Sequence, residues 1–384
     1  MNNFTFQNPV NIIFGKGTIS NLKDLIPSEK KIMIIYGGGS IKNNGIYDQV
    51  FAALRGRMFV EFGGIEPNPS YETCMQAVEL AKIKAVDFLL AVGGGSVLDA
   101  TKFVSAAIPF VGDPWEITLS KGEKIKYALP FGTILTLPGT GSENNCISVI
   151  SRQSTMEKLA FIHDLAFPRF SILDPEVTYS LPKTQLRNGI VDAFVHVIEQ
   201  YATYDIFSPL QDRQAEAVIQ TLVELSDRIL AQKNDYDARA GFMWCAAQAF
   251  NGLIGCGVVE DWSTHLIGHE LTAFFGIAHA ESLAVVLPAL WKHQKQNKKA
   301  KLAQLAQRVW NVSKGTIDQK ADAAIENTVN FFHRLGMPTR LSDYDIDAND
   351  IQKVADRFEQ RRQVIGENNN ITYKEVKQIL ELCL

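Results

Sequence analysis

The sequence predicts two parts of different class: an α/β domain with a parallel sheet over residues 1–181, and an all-helical domain over residues 182–384. Two observations carry this prediction. In the first part, uninterrupted apolar runs alternate with helical patterns, which is typical of parallel strands joined by crossover helices. In the second part such runs almost disappear, and apolar residues recur with the period of an amphipathic helix.

The composition is that of an ordinary globular protein, and it argues against several functional classes. Hydrophobic residues make up 46% and the formal net charge is -4, so the basic excess of a nucleic-acid-binding protein is missing. We see no signal-peptide pattern, and no apolar run reaches the ~18 residues of a membrane helix. The five cysteines are scattered without a CxxC pair, which argues against disulfides and thiolate metal sites. We therefore expect a cytoplasmic protein without a membrane or nucleic-acid partner.

Two glycine loops follow buried strands in the first part. The apolar run 32–36 ends in GGGS at 37–40, and the run 88–92 ends in GGGS at 93–96. Consecutive glycines let a ligand approach the backbone, and the N-terminus of a following helix favours phosphate. Neither loop matches GxGxxG, and a single GGGS is often only a turn. The two loops together are compatible with either a nucleotide site or a purely structural role.

A third loop, rich in glycine and hydroxyl groups, follows the apolar run 131–136. Its sequence LPGTGSE at 137–143 offers amides and hydroxyls that suit ribose, phosphate or amide groups. The carboxyl ends of parallel strands form the ligand sites of open α/β sheets. We therefore expect the three loops to meet around one ligand.

The second part contains eight amphipathic stretches and a polar connection at 338–351. The predicted helices span 185–202, 211–232, 237–254, 261–275, 281–294, 299–311, 318–335 and 372–383.

Four polar residues in these helical stretches indicate a metal site. Asp192 and His196 are spaced i, i+4, so both side chains leave the same face of a helix. His265 and His269 repeat that spacing, and His279 follows a glycine-containing break. A carboxylate and imidazoles from several helices suit a divalent transition metal. The alternatives are a hydrogen-bonded pair on one helix and histidines that serve only the core or the surface.

Several motifs, taken in order along the chain, resemble the iron-containing (group III) alcohol dehydrogenases. They are GGGSVLDATK at 93–102, TLPGTGSE at 136–143, DAFVHVIEQ at 192–200 and HLIGHELTAFFGIAHAESLAVVLP at 265–288. The resemblance covers essentially the whole chain, and it is closest to the butanol dehydrogenase and broad-range NADPH-dependent aldehyde reductase branch. It implies a Rossmann-like N-terminal domain, a helical C-terminal domain, and NAD(P)-dependent interconversion of alcohols with aldehydes or ketones.

The resemblance also implies roles for individual residues. The implied ligands of one divalent metal, Fe²⁺ or Zn²⁺, are Asp192, His196, His265 and His279. His269 falls near the nicotinamide, as a contact or a proton relay. The implied cofactor contacts are Gly94, Gly95, Ser96, Asp99, Thr136, Leu137, Thr140, Ser142 and Lys158. In the third loop this chain has Leu137-Pro138 where the family often has threonine and alanine.

The first glycine loop favours NADP(H) over NAD(H). NAD-preferring relatives tend to carry an acidic residue after the first strand, where it binds the adenine ribose hydroxyls and repels a 2′-phosphate. Here Tyr36 is followed by three glycines and Ser40, with no acid. The amides of Gly38 and Gly39 and the hydroxyl of Ser40 can bind the 2′-phosphate instead.

We expect a small aldehyde or alcohol as substrate, and the resemblance suggests a homodimer. One alternative, an NAD-dependent glycerol or diol dehydrogenase, normally has three metal ligands rather than four. A second, a dehydroquinate-synthase-like lyase, needs several basic residues that the motifs lack. A third, a non-enzymatic nucleotide sensor, fits poorly with an intact ligand set. Trp262 either packs in the core or lines the substrate pocket.

Overall fold

The computed structural model describes residues 1–384 and contains the two classes of structure that the sequence predicts. The strands are β1 (Asn11–Phe14), β2 (Ile32–Tyr36), β3 (Phe59–Phe62), β4 (Phe88–Gly94), β5 (Phe131–Leu137), β6 (Ile147–Arg152), β7 (Glu157–Ile162) and β8 (Phe170–Leu173). The helices before residue 182 are α1 (Leu22–Leu25), α2 (Ile46–Ala53), α3 (Tyr71–Ile83), α4 (Gly95–Ala107) and α5 (Glu116–Leu119).

The remaining chain is helical. Its helices are α6 (Lys183–Tyr201), α7 (Pro209–Ala231), α8 (Tyr236–Ala249), α9 (Ser263–Phe275), α10 (His279–His293), α11 (Lys295–Arg308), α12 (Ile317–Arg334), α13 (Ala348–Gln360) and α14 (Tyr373–Glu381). No helix combines the length and the apolar character needed to cross a lipid bilayer.

Six strands form one parallel sheet in the order β1-β8-β5-β4-β2-β3, while β6 and β7 form a separate antiparallel pair. All five residues of β2 are buried, as its uninterrupted apolar sequence predicts for a strand covered on both faces. The prediction of a Rossmann-like parallel-sheet domain followed by a helical region is therefore confirmed.

The direction in which the chain crosses the sheet reverses between β2 and β4. From β2 the chain continues to β3 at one edge, whereas from β4 it continues to β5 on the opposite side. The two strands lie side by side in parallel, with Tyr36 paired to Val92. Ligands of open parallel sheets bind at such a reversal, beyond the carboxyl ends of the strands. The GGGS at 37–40 follows the end of β2, whereas in the GGGS at 93–96 Gly94 ends β4 and Gly95 begins α4.

The chain divides into two compact units that are discontinuous in sequence. One unit comprises Gln7–Leu186 and Ala231–Asn251, and the other comprises Met1–Phe6, Arg187–Leu230 and Gly252–Leu384. The first unit thus includes α8, which places Met243 and Ala247 in the core of the sheet. The single boundary near residue 181 that we inferred from the sequence follows the change in secondary structure. A single boundary cannot describe a unit that also includes the later segment Ala231–Asn251.

One helix was missed in the sequence. The prediction of a polar connection over 338–351 was wrong at its end, because α13 begins at Ala348. Asp347 caps this helix by accepting hydrogen bonds from the backbone N–H groups of Asn349 and Asp350. Its few apolar residues recur every three or four positions and lie in one core cluster: Ile351, Val354 and Phe358.

Candidate metal centre and nucleotide loops

The predicted metal residues come together from three helices of the helical unit. Asp192 and His196 lie on α6, His265 on α9, and His279 is the first residue of α10. Asp192 Oδ1 lies 3.4 Å from His196 Nδ1 and 3.6 Å from His279 Nε2. Single ligand atoms of Asp192, His265 and His279 all lie within 4.8 Å of one another. His196 adjoins this group, since its ring centroid is 4.6 Å from that of His265.

Burial keeps His196 in the neutral form that a metal requires. Desolvation, followed by the nearby ring of His265, lowers the pKa of His196 well below its ordinary value, so the ring is neutral near pH 7. Neutral imidazoles and a carboxylate are the donors of divalent Zn²⁺ and Fe²⁺ sites. The side chain of His279 is 23% exposed, whereas that of Asp192 is 7% exposed. The donor set therefore fits a divalent metal that is reached from the side of His279.

Glu199, which the sequence analysis did not single out, contacts His265 from α6. Glu199 Oε1 accepts a hydrogen bond from the backbone N–H of Thr264 at 2.7 Å. Glu199 Oε2 accepts one from the backbone N–H of His265 at 3.2 Å and lies 2.5 Å from His265 Nδ1. Its position three residues after His196 was the available signal, because i, i+3 residues share a helix face.

Opposing effects act on the ionisation of Glu199. Burial raises the pKa of this carboxyl group, and the charge of Asp261 raises it further. The backbone N–H groups of Thr264 and His265 act in the opposite direction, because they stabilise the carboxylate. A cation held by the adjacent histidines would also favour the carboxylate.

His269 and Trp262 lie beside the four predicted ligands. The ring centroid of His269 is 5.3 Å from that of His279 and 6.3 Å from that of His265. Trp262 precedes α9 in a left-handed backbone conformation, and its ring centroid is 5.3 Å from that of His265. Its indole N–H donates to Glu260 at 2.7 Å, so the ring is held against the site.

In the α/β unit, the third loop packs directly on the second glycine loop. A Cβ atom on Gly95 would lie 2.4 Å from Thr140 Cγ2, and one on Gly94 would lie 2.9 Å from Leu137 Cβ. Glycine is therefore required at both positions for the loops to touch. The helix α4 begins at Gly95 without a side-chain cap. Its first backbone amides thus suit a phosphate.

Asp99 and Ser142, both predicted as cofactor contacts, are bonded to each other. Ser142 Oγ donates to Asp99 Oδ1 at 2.6 Å, and the backbone N–H of Val149 donates to Asp99 Oδ2 at 2.9 Å. Both carboxylate oxygens of Asp99 therefore join α4 to the third loop and to β6. This contact orders the loops.

Lys158 on β7 is connected to the second glycine loop through Asn68. Lys158 Nζ donates to Asn68 Oδ1 at 2.9 Å, and the backbone N–H of Asn68 donates to Ser96 Oγ at 3.3 Å. Asn68 was not among the residues predicted from the sequence. The signal was its place between two prolines in EPNPS, where the chain turns with a φ of 55°.

The first glycine loop is open above Gly38 and Gly39. A Cβ atom at either position would meet no atom within 4 Å, so packing does not explain the glycines. Gly39 has a φ of +93°, a conformation that favours glycine, while Gly38 leaves space for a ligand. Thr136, at the end of β5, and Ser40 are partly or fully exposed.

An acidic residue that the sequence analysis overlooked lies near this loop. Glu61 on β3 accepts hydrogen bonds from the hydroxyls of Tyr36 at 3.2 Å and Tyr47 at 2.9 Å. Lys42 Nζ lies 3.4 Å from Glu61 Oε2. Both carboxylate oxygens are thus occupied and their charge is paired, which weakens the repulsion of a phosphate by Glu61.

Comparison with known proteins decides the family. Residues 9–175 match the description "Iron-containing alcohol dehydrogenase", and residues 187–384 match "Fe-containing alcohol dehydrogenase family, C-terminal". The chain belongs to the iron-containing alcohol dehydrogenase family. It is 51% identical over 384 residues to the NADPH-dependent aldehyde reductase YqhD of Escherichia coli K12, with 99% of each chain covered.

Solved structures of other family members share the whole fold. The crystal structure of Escherichia coli K-12 YqhD matches with a TM-score of 0.98 at 50% identity, covering 100% of this chain and 99% of that one. The NADH-dependent butanol dehydrogenase A of Thermotoga maritima matches with a TM-score of 0.94 at 34% identity and the same coverage. The resemblance inferred from the motifs is confirmed, and the chain is an oxidoreductase of this iron-containing family.

Proposed function

We propose that this protein is a metal-dependent, NADP(H)-preferring alcohol dehydrogenase that reduces small aldehydes and oxidises the corresponding primary alcohols. One observation carries the proposal. In a chain 51% identical to an NADPH-dependent aldehyde reductase, a carboxylate and three imidazoles from three helices meet in one place. We assign the dinucleotide to the α/β part, residues 1–181, and the metal and substrate to the helical part, residues 182–384.

The proposed metal ligands are Asp192, His196, His265 and His279. When bound, a divalent metal supplies Lewis-acid polarisation of the carbonyl oxygen, and NADPH supplies the hydride for the carbonyl carbon. Asp192 contributes one negative charge and the neutral imidazoles contribute none. A divalent cation bound by these ligands would therefore keep a net positive charge. This charge would stabilise the negative charge that develops on the substrate oxygen. Either Fe²⁺ or Zn²⁺ suits these donors.

We assign His269 to the nicotinamide side of the site, as a contact or a proton relay. It lies one helical turn after His265 on α9, with its ring 5.3 Å from that of His279. An imidazole in this place can hold the proton that the alcohol product requires. Trp262, whose ring lies against His265, is assigned to the wall of the substrate pocket.

The proposed cofactor site uses the three loops. The first amides of α4, at Gly95 and Ser96 after Gly94, bind the pyrophosphate. The third loop and the neighbouring hairpin bind the ribose and nicotinamide, through Thr136, Leu137, Thr140 and Lys158, with Asp99 and Ser142 ordering the loops. Gly38, Gly39 and Ser40 bind the adenine ribose and its 2′-phosphate. The open space above Gly38 and the pairing of Glu61 with Lys42 support NADP(H) over NAD(H).

We further propose that the protein acts in the cytoplasm as a homodimer. The strand β1 forms one edge of the sheet, and an edge strand offers unpaired backbone groups to a second copy.

The test is an aldehyde panel that includes butyraldehyde, with NADPH and NADH measured in parallel and the metal identified by elemental analysis. We expect NADPH-dependent reduction, a higher kcat/KM with NADPH, and about one iron or zinc per chain. A clear preference for NADH would contradict the cofactor assignment. Full activity in protein freed of metal would contradict the metal site.

A further inference from the structure

We infer that Glu199 is a positioning residue that orients His265 for the metal and fixes the start of the helix that carries it. The inference rests on the proposed metal site and adds a residue to its support. Glu199 is 2% exposed, and its carboxylate lies between α6 and the N-terminus of α9. Two independent sets of contacts carry the inference: one to the backbone of α9 and one to the imidazole ring.

The first set replaces the missing cap of α9. The residue before this helix, Trp262, provides no side-chain cap and has a left-handed backbone, so the first N–H groups need another acceptor. Glu199 accepts from the backbone N–H groups of Thr264 and His265, at 2.7 and 3.2 Å. A carboxylate at this end of a helix also interacts favourably with the helix dipole. The position of His265 therefore depends on a side chain from α6.

The second set fixes the tautomer of His265. Glu199 Oε2 lies 2.5 Å from Nδ1 of the ring. When Glu199 is ionised, which a cation held by the adjacent histidines favours, its carboxylate only accepts hydrogen bonds, so Nδ1 carries the proton and the lone pair of the neutral ring lies on Nε2. Carboxylate partners of this kind orient metal-binding histidines and raise the basicity of the nitrogen that binds the metal.

Glu199 connects the proposed ligands on α6 with the proposed ligand His265 on α9. Asp192, His196 and Glu199 occupy successive turns of one helix, so the helix that supplies two proposed ligands also orients a third from α9. The backbone strengthens this connection, because the N–H of Asp261 donates to the carbonyl of Glu199 at 2.9 Å. Lys298 forms an ion pair with Asp261, and its Nζ lies 2.7 Å from Asp261 Oδ2.

The test measures metal binding directly, apart from turnover. Apo protein is titrated with Zn²⁺ against a chelator, and the d–d absorption of the Co²⁺-loaded protein is recorded, for the wild type and Glu199→Gln. The matched control is Glu216→Gln, which removes another buried carboxylate of the helical unit, one that bonds to Tyr201 and Arg308. Thermal unfolding of both variants reports the loss of stability.

We expect Glu199→Gln to weaken Zn²⁺ binding by about 10–100-fold and to shift the Co²⁺ bands, because the loss of an outer partner of a ligand has this effect. Glu216→Gln should leave both unchanged at a similar loss of thermal stability. Equal Zn²⁺ affinity and identical Co²⁺ bands in the wild type and Glu199→Gln would overturn the inference while leaving the proposed function intact. A wild type that binds neither metal would instead overturn the proposed function and, with it, the inference.

Discussion

Replacement of Glu143 by glutamine is expected to remove a pH dependence from the stability of the α/β unit. Glu143 is fully buried in the third loop, and neither carboxyl oxygen accepts a hydrogen bond from another residue. Burial raises the pKa of this group from 4.5 to about 7, although a backbone hydrogen bond and the charge of Lys102 oppose the rise. The folded protein therefore holds the carboxyl group protonated through a range in which the unfolded chain has lost the proton.

The sign and size of the effect follow from this difference. Between pH 4.5 and about 7 the unfolded chain binds fewer protons at this group than the folded protein does. The free energy of unfolding thus falls as the pH rises: the contribution is fully present below pH 4.5 and is lost above about pH 7. The gap between the two pKa values corresponds to about 3 kcal/mol.

Thermal unfolding of the wild type and Glu143→Gln at pH 5 and pH 8 tests this expectation. Glutamine stays neutral at both pH values, so the wild type should lose several degrees of Tm relative to the variant between them, at ~2–4 °C per kcal/mol. The exposed Glu123→Gln is the control, and its Tm should follow that of the wild type at both pH values. Parallel pH dependences of Glu143→Gln and the wild type would refute the reasoning.

Further substitutions test the proposed metal ligands, the second glycine loop and the first glycine loop. Asp192→Ala and His265→Ala should each lose the metal, as measured by elemental analysis. Each should also lower kcat by about 10³-fold or more, because Lewis-acid polarisation is worth several kcal/mol. Either variant with full activity and no metal would contradict the ligand assignment. Gly95→Ala should raise KM for NADPH about 10-fold, because the added Cβ would lie 2.4 Å from Thr140 Cγ2 and displace the third loop. No change in KM would contradict the proposed approach of the pyrophosphate. Ser40→Asp should lower the ratio of kcat/KM for NADPH to that for NADH by about 10-fold or more, because a carboxylate repels the 2′-phosphate; an unchanged ratio would place the 2′-phosphate elsewhere.

The sequence predicted those features that leave a local pattern. Strands covered on both faces appear as uninterrupted apolar runs, so β2 and β4 and their glycine loops could be located. The i, i+4 spacing of Asp192 and His196 likewise places both on one helix face without any knowledge of the fold. These local patterns were sufficient for the class of each half, whereas the choice of Asp192, His196, His265 and His279 as one ligand set also used the resemblance to the family.

Features that depend on the packing of distant segments left no such pattern. The contact of Glu199 with His265 joins residues 66 positions apart and exists only because α6 and α9 meet. Glu61 reaches the end of β2 from the neighbouring strand, so no inspection of the residues after Tyr36 could find it. The helix α13 was missed for a different reason, since its charged residues outnumber the apolar ones that face the core.

The return of α8 to the α/β unit has a consequence for the order in which the protein is made. Met243 and Ala247 are buried in the core of the sheet, and the α/β unit is complete only at Asn251 of the 384 residues. During synthesis, part of the apolar surface of the nascent sheet therefore stays uncovered until α6, α7 and α8 have left the ribosome. A fragment that ends near residue 181 would lack these core residues, so truncation there should yield an aggregation-prone chain.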